Sequence, residues 1–151
     1  MENSSTDINK SVSAEGGRAA EVGKLRSRRE FLYVQHNGVR QVMPHFILQA
    51  AIPDARPGSP SAHSSARHIR TGLTASKKVG NAVLRNRAKR RMRVLMAQLG
   101  QMQTPCRADY VLVARRSLTS ADWPTLCAEF TTAAERINRK LLAEDDQERA
   151  L

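Results

Sequence analysis

The sequence predicts a mixed α/β domain with three helices and four strands in the order αβββαβα. Two long segments carry apolar residues at helical intervals, and a third, shorter segment begins with a helix-start motif. Four other segments are rich in strand-forming residues. The chain has 151 residues, of which 40% are hydrophobic, which is enough for one domain with an ordinary core. Wholesale disorder is therefore excluded.

Both ends of the chain and one internal segment differ in composition from the rest. Residues 1–23 are polar, aperiodic and rich in Gly, Ser and Ala, which is typical of a disordered tail. Residues 53–66 contain three prolines and four serines and predict a long mobile loop. We therefore expect a disordered tail over residues 1–23, a single domain over 24–143 and an acidic tail over 144–151.

The first predicted elements are a short helix and a pair of strands. Ser27 and Glu30 fit a capping box, and Phe31 and Val34 follow three residues apart on one helical face. Residues 39–42 and 45–51 are enriched in strand formers on either side of Pro44. This pattern predicts a helix followed by an antiparallel pair of strands.

A third strand and a second helix come next in the chain. Residues 68–76 predict the strand, and Asn81 is a good N-cap for a helix that Gly100 can end. The helix has one apolar stripe, formed by Leu84, Ala88, Met92, Leu95 and Leu99. Its opposite side carries cationic residues, so the helix has one apolar face and one basic face.

The last two elements are a buried strand and a long helix. Residues 109–114 form a nearly continuous apolar run, which is typical of a strand buried on both faces. A helix is predicted over residues 122–142, with Pro124 tolerated in its first turn. Its apolar stripe consists of Leu126, Phe130, Ala133, Ile137 and Leu141.

The positive charge is concentrated in the middle of the chain. The formal net charge is +11, from 25 Lys and Arg against 14 Asp and Glu. Residues 55–108 hold 12 basic side chains and no acidic one, whereas the two flanking parts are nearly neutral. Such a block favours a polyanionic partner.

The block from Thr74 to Arg93 is suited to phosphate. Two lysines and a glycine lie where the third strand meets a helix N-terminus, a place that favours anions through free N–H groups and the helix dipole. Arginine forks can bind phosphate oxygens, and an asparagine among them suits a 2′-hydroxyl or a base edge. The candidate RNA-binding residues are Lys77, Lys78, Arg85, Asn86, Arg87, Lys89, Arg90 and Arg93.

The charge pattern by itself leaves other interpretations open. A general ribosomal or nucleoid-type nucleic-acid-binding protein could use the same helix without any catalytic role. A helix that lies on a membrane surface or binds a calmodulin-type partner would need a free apolar face. A solvated helix face is disfavoured, because no acidic partner lies within reach along the helix.

The run Ser76-Lys77-Lys78-Val79-Gly80-Asn81-Ala82-Val83, followed by Arg85-Asn86-Arg87 and Lys89-Arg90, resembles the signature of the protein subunit of bacterial ribonuclease P. The resemblance extends from about Leu25 through the last helix. It implies a two-layer α/β sandwich with a four-stranded mixed sheet. It also implies a left-handed crossover between two parallel strands, against the usual hand.

The resemblance further implies a role in the 5′ maturation of tRNA. The protein would bind the catalytic ribonuclease P RNA through the basic helix and hold the 5′ leader of precursor tRNA in a cleft. Phe31 matches an aromatic residue of that cleft, although packing in the core would also explain it. Two further aromatic positions of the family are occupied by Gln35 and Gln49, so that base stacking is expected to be weaker here.

The sequence provides no catalytic machinery of its own. The basic block lacks the carboxylates that hold Mg²⁺ in protein nucleases, and no nucleophile motif is present. We expect no catalytic residue and no cofactor or metal bound by the protein alone, with Mg²⁺ required by the complex with RNA. The chain would thus belong to an endoribonuclease whose catalytic site lies in the RNA.

The remaining features indicate a reducing compartment and no membrane partner. Cys106 and Cys127 have no CxxC partner and are expected to be small core residues, and the four histidines lie at no metal-ligand spacing. No apolar run approaches the roughly 20 residues of a membrane span. With no signal-peptide pattern at the N-terminus, we expect a cytoplasmic protein without a small-molecule substrate.

Overall fold

The computed structural model describes residues 21–53 and 68–150. The elements follow the predicted order, with one strand added before the first helix. The strands are β1 (Glu21–Lys24), β2 (Val39–Val42), β3 (Phe46–Ala51), β4 (His68–Thr74) and β5 (Arg107–Ala114). The helices are α1 (Arg28–Asn37), α2 (Ala82–Ala97) and α3 (Trp123–Ala150), and short 3-10 helices span Lys77–Val79, Gln98–Gln101 and Arg116–Thr119.

The five strands form one mixed sheet in the order β1-β4-β5-β3-β2. The strand β4 is parallel to both of its neighbours, β1 and β5, whereas β3 is antiparallel to both β5 and β2. The predicted antiparallel pair is therefore confirmed, and α2 joins the parallel strands β4 and β5. The left-handed sense of this crossover stays a prediction.

The prediction of four strands is wrong, because β1 pairs with the edge of β4 from Glu21 opposite His68 to Lys24 opposite Thr71. Residues 21–23, which the sequence pattern assigns to the tail, belong to this strand. A four-residue segment containing glycine has no strand pattern of its own, and only the free edge of β4 gives it hydrogen-bond partners. Residues 1–20 and 54–67, with the rest of the predicted tail and nearly all of the predicted loop, lie outside the described residues.

The last helix is longer than predicted. It continues to Ala150, so the described part of the acidic segment 144–151 is helical. The residues there are mainly Glu, Ala, Gln and Arg, which have high helix propensity and extend a helix without needing an apolar stripe.

Helices cover both faces of the sheet. Phe46 and Leu48 of β3 and Tyr110 and Leu112 of β5 belong to the larger core cluster, which packs against α2 and α3. On the opposite face, Val34 of α1 packs with residues of β3 and β5 in a smaller cluster. The predicted two-layer sandwich is therefore corrected, because the sheet lies between α1 and the α2–α3 pair. This arrangement agrees with the burial of β5 on both faces.

The predicted helical stripes are largely confirmed. All five stripe residues of α3 are fully buried, and so are Ala88, Met92, Leu95 and Leu99 of the second stripe, while Leu84 is 38% exposed. The apolar face of α2 is thus occupied by the core. A helix that uses this face on a membrane surface or in a calmodulin-type complex is therefore excluded.

The two cysteines differ in their surroundings. Cys127 is half-buried and packs against the larger core cluster. Cys106 is exposed, so its prediction as a core residue is wrong. It lies between the buried Pro105 and Arg107, the first residue of β5. Within the described ranges, none of the helices combines the length and apolar character of a membrane span.

Candidate nucleic-acid interface

The chain enters α2 through a tight turn that presents two lysines. Lys77 and Lys78 lie in the 3-10 helix Lys77–Val79 and are exposed. The hydroxyl of Ser76 accepts a hydrogen bond from the backbone N–H of Lys78 at 3.4 Å. The turn therefore places both ammonium groups in solvent directly before the N-terminus of α2.

Gly80 and Asn81 complete this turn. Gly80 has a φ of +143°, and a methyl group on it would lie 2.5 Å from Cδ1 of Leu84, so only glycine fits without strain. Asn81 is the predicted N-cap: its side-chain oxygen accepts the N–H of Leu84 at 3.0 Å. The first turn of α2 contains no acidic residue, which leaves the positive end of the helix dipole uncompensated.

All of the predicted RNA-binding residues lie on this turn or on α2. Asn86, Arg87, Arg90 and Arg93 are exposed, while Arg85 and Lys89 are half-buried. The Nε atom of Arg85 is buried and has no hydrogen-bond partner in the described part of the chain. The structure thus brings the candidates together on two consecutive elements, the 3-10 turn and α2.

These residues do not all point in one direction. Arg87 and Arg90 lie on the side of α2 that faces outward, together with Val83 and Val94, which are 73% and 55% exposed. We call these four residues the outer face of α2. Lys89 and Arg93, four residues apart, lie on another side of the helix and line a depression in the surface.

This depression contains Phe31. It consists of two adjoining hollows of about 430 and 540 Å³ that share Phe31, Leu73 and Lys89, and we call it the Phe31 cleft. One hollow reaches Arg93 of α2, and the other extends along α1 to Gln35. Phe31 is half-buried, so part of its ring faces the cleft and part packs in the fold.

The position of the cleft follows from the length of β1. The strand ends at Lys24, opposite Thr71, so in the described residues β4 lacks a second partner strand beyond that point. The next residues of β4, Gly72 and Leu73, line the cleft. A methyl group on Gly72 would lie 2.6 Å from the ring atoms Cε1 and Cζ of Phe31. The ring therefore rests directly on the backbone of the strand.

The cleft is lined by positive and apolar groups. Lys24 and Arg28 add two cations to those from α2, and no carboxylate lies among the described lining residues. Sequence reasoning missed both residues, because they precede the basic block and approach it only in the folded chain. A groove that combines cations with an aromatic ring suits a single-stranded nucleic acid.

The other residues weighed for this cleft lie in different places. Gln35 lines it, whereas Gln49 is in β3, opposite Val111 of β5. Tyr33 packs in the smaller core cluster and donates its hydroxyl hydrogen to the carbonyl of Ile52 at 3.3 Å. Phe31 is therefore the aromatic residue that α1 contributes to the cleft.

Two further arginines extend the positive surface. Arg115 and Arg116 follow β5 and are exposed. The Nε–H of Arg116 donates to the carbonyl of Lys78 at 3.3 Å, which places its charge beside the turn before α2. An arginine pair directly after a buried strand is a signal that the sequence contained, but its proximity to Lys78 depends on the tertiary fold.

A ligand set for a metal ion is not formed by the described residues. Glu30, which precedes Phe31 in α1, and Asp109 of β5 are both paired with Arg70. Over residues 21–53 and 68–150, the chain therefore offers phosphate-binding groups at this surface and no oxygen cage for Mg²⁺.

Comparison with known proteins identifies the family. The family model described as Ribonuclease P matches residues 20–138. The chain belongs to the ribonuclease P protein family. The ribonuclease P protein component of Nitratiruptor sp. is 40% identical over 119 residues, which cover 79% of this chain and 95% of the relative. The corresponding protein of Paramagnetospirillum magneticum is 35% identical over 119 residues, covering 79% and 85%.

Solved ribonuclease P proteins share the fold. The protein from Thermotoga maritima superposes with a TM-score of 0.57 at 22% identity, covering 77% of this chain and 96% of that one. A Staphylococcus aureus ribonuclease P protein gives a TM-score of 0.59 at 19% identity, covering 76% and 96%. These similarities confirm the α+β fold with three helices and a mixed sheet.

Membership of the ribonuclease P family establishes the role expected from the sequence. The chain is the protein subunit of the ribonucleoprotein endonuclease that processes the 5′ end of tRNA. It thus has an RNA partner. A general ribosomal or nucleoid protein without a catalytic role, the alternative left open by the charge pattern, is excluded.

Proposed function

We propose that the two sides of α2 bind different RNAs within ribonuclease P. The outer face, with Lys77 and Lys78, binds the catalytic RNA, and the Phe31 cleft holds the single-stranded 5′ leader of precursor tRNA. The observation that carries this proposal is the meeting of an aromatic ring and the α2 cations in one groove beside an exposed basic helix face.

The outer face is suited to a structured RNA. Arg87 and Arg90 are exposed and have guanidinium forks that match phosphate oxygens. Asn86, beside them, can recognise a 2′-hydroxyl or a base edge. Arg85 is half-buried, and its Nε is buried without a hydrogen-bond partner in the described chain, so we assign any RNA contact of this residue to its terminal guanidinium nitrogens.

The cleft is suited to an unpaired strand. Bases of any type can stack on Phe31, and Lys89 and Arg93 can bind the phosphates of the same strand from the opposite wall. Gln35 lies in the groove without an aromatic ring, so we infer fewer stacking contacts than a cleft with several aromatics would provide.

We assign the catalytic step to the RNA. Glu30 and Asp109 are engaged by Arg70 and are not free to coordinate a divalent cation. Mg²⁺ would then be held by RNA phosphates, and the protein would lower the Mg²⁺ requirement by neutralising nearby negative charge. We also infer that the protein acts in the cytoplasm, where precursor tRNA is made.

Reconstitution tests this proposal. A bacterial ribonuclease P RNA is assayed with and without the protein at low Mg²⁺, on precursor tRNA with a long leader and with a single-nucleotide leader. We expect the protein to restore cleavage at low Mg²⁺ and to increase affinity mainly for the long leader. Mg²⁺-dependent cleavage by protein free of RNA would contradict the assignment, as would equal gains for both leaders.

A further inference from the structure

A partly buried ion cluster links the helix that carries Phe31 to the sheet. The guanidinium of Arg70 in β4 donates to both carboxylate oxygens of Asp109 in β5, from Nε at 2.9 Å and from Nη2 at 2.7 Å. Its remaining terminal nitrogen, Nη1, donates to Oε2 of Glu30 in α1. One arginine therefore joins α1, β4 and β5.

Glu30 also organises the start of α1. Its other oxygen, Oε1, accepts the backbone N–H groups of Arg26 and Ser27, at 3.1 and 2.9 Å, and the hydroxyl of Ser27 at 3.0 Å. The hydroxyl of Ser27 in turn caps the N–H of Glu30. The two oxygens of one carboxylate thus fix the first turn of α1 and attach that turn to the sheet.

The cluster is adjacent to Phe31 on both elements that it joins. Phe31 follows Glu30 in α1, and its ring rests on Gly72, two residues after Arg70 in β4. The same helix and strand are therefore held together at two neighbouring points, one ionic and one by ring packing. A shift of the first turn of α1 would move the ring relative to β4 and Lys89.

The charges of the cluster are held in a partly desolvated site. The Asp109 side chain is 4% exposed, and those of Glu30 and Arg70 are 23% and 31% exposed. Burial raises the pKa of Asp109 despite the Arg70 guanidinium beside it. Burial also opposes ionisation of Glu30, but the N–H groups of Ser27 and Arg26 and the charge of Arg70 bring its pKa below the ordinary value of 4.5. Arg70 is the main compensating partner of Asp109, whereas Glu30 is stabilised first by the N–H groups of the helix start and in addition by Arg70.

We propose that Glu30, Arg70 and Asp109 are positioning residues of the Phe31 cleft, which set the placement of the Phe31 ring and hence the affinity for the leader. The inference rests on the proposed function of the cleft. The cluster does not touch the leader in this proposal. It acts through the orientation of α1, so its effect requires Phe31.

A double-mutant cycle on the reconstituted holoenzyme tests the proposal. The variants E30Q, F31A and E30Q/F31A are assembled with ribonuclease P RNA, and the affinity for leader-bearing precursor tRNA is divided by that for mature tRNA. We expect F31A to reduce this ratio about tenfold, as for the loss of one stacked base. E30Q should reduce it about threefold, through imperfect positioning of the ring.

The double variant carries the decisive result. If Glu30 acts through the ring, the affinity ratio of E30Q/F31A is no lower than that of F31A alone. If the reduction in the double variant equals the product of the two single reductions, the proposal is overturned. Removing a negative charge would by itself tighten binding of an anionic leader, so a loss cannot come from simple electrostatics. If F31A leaves the ratio unchanged, the proposed function of the cleft fails. If F31A reduces the ratio and E30Q does not, the positioning role of Glu30 is rejected, while the proposed function of the cleft stands.

Two controls separate positioning from folding. Glu129 is in α3, away from the cleft, and its partly buried carboxylate lies 3.9 Å from the side chain of His45. The control variant E129Q should leave the affinity ratio unchanged even if it lowers the melting temperature. R70K keeps the charge but not the fork, so it should reduce the ratio in the same sense while the chain stays folded. An R70K variant with the wild-type ratio would overturn the proposal even if E30Q does not fold.

Discussion

The two basic sides of α2 carry similar residues but lie in different surroundings. On the outer face, Arg87 and Arg90 are exposed beside two exposed valines. On the other side, Lys89 and Arg93 line a groove opposite the ring of Phe31. The density of positive charge therefore indicates a polyanionic partner. Whether a structured RNA or a single strand fits depends on the elements that surround the charges.

A third side of the helix shows that even a basic residue within the block can have a structural role. Arg91 is half-buried and donates from Nη1 to the carbonyl of Leu118 at 2.6 Å. Its guanidinium carbon lies 5.6 Å from the centre of the Trp123 ring. The helix therefore has an inner side that serves the fold, besides the outer side that we propose for structured RNA and the groove side that we propose for a single strand.

The largest expected effect comes from removing both arginines of the outer face. The double change R87A/R90A should weaken assembly with ribonuclease P RNA by about 2 to 6 kcal/mol and make the salt slope about 2 units shallower, because two phosphate contacts are lost. Binding titrations at several salt concentrations measure both quantities. Once assembled, the variant complex should keep the wild-type ratio of affinities for leader-bearing and mature tRNA. If the variant binds ribonuclease P RNA with wild-type affinity, the outer face has been misassigned.

Removing the structural arginine should affect stability rather than RNA affinity. R91A should lower the free energy of unfolding by about 1 to 3 kcal/mol, because it removes a charged hydrogen bond to a backbone carbonyl and a cation–π contact. Urea unfolding followed by circular dichroism measures this change. R91A is the matched control for R90A, which changes the adjacent arginine. A larger loss of RNA affinity for R91A than for R90A would contradict the assignment of Arg90 to the outer face and of Arg91 to the fold.

Removing a lysine from the groove should affect the leader more than assembly. K89A should reduce the affinity of the holoenzyme for leader-bearing precursor tRNA by about 1 kcal/mol, since one phosphate contact is lost, and leave mature tRNA binding unchanged. R90A serves as the comparison, with the opposite pattern expected. An equal effect of K89A on both tRNAs would place Lys89 on the surface for the catalytic RNA.

The smallest effect is a gain. Gln35 lies in the cleft about one helical turn after Phe31, so Q35F adds a second stacking surface and should tighten leader binding by about 0.5 to 1 kcal/mol. Q49F provides the comparison, because Gln49 is in β3 and does not follow Phe31 on the same helix. A gain from Q49F without one from Q35F would shift the path of the leader towards β3.

The local chemistry of the chain was predictable because it depends on neighbours in sequence. The capping box of Ser27 and Glu30 and the Asn81 cap were read from short motifs and are present in the structure. The apolar stripes of α2 and α3 followed from periodicity alone. The candidate RNA-binding residues could be listed, since charge and helical spacing are visible in the sequence, but the sequence offers no basis for dividing them between two partners.

Apart from the end of the last helix, the failures of prediction are long-range. The strand β1 exists because β4 has a free edge, and residues of β1 line the cleft together with the part of β4 that extends beyond it. The ion cluster joins Glu30, Arg70 and Asp109, which are separated by 40 and 39 positions, so no local pattern reveals it. The prediction that Cys106 is a core residue failed for the same reason, because the exposure of a residue next to a buried strand depends on the tertiary packing around it.

By itself, the sequence determined every helix and strand except β1, and it determined the basic helix and, through its signature, the family. Each of these depends on residue type and spacing over a few turns of chain. Only the tertiary structure decided that α1 packs on the face opposite α2 and α3, and that Phe31, Lys89 and Arg93 meet in one groove. The physical reason is that packing at a sheet edge depends on which strands are paired, and that pairing joins residues far apart in the chain.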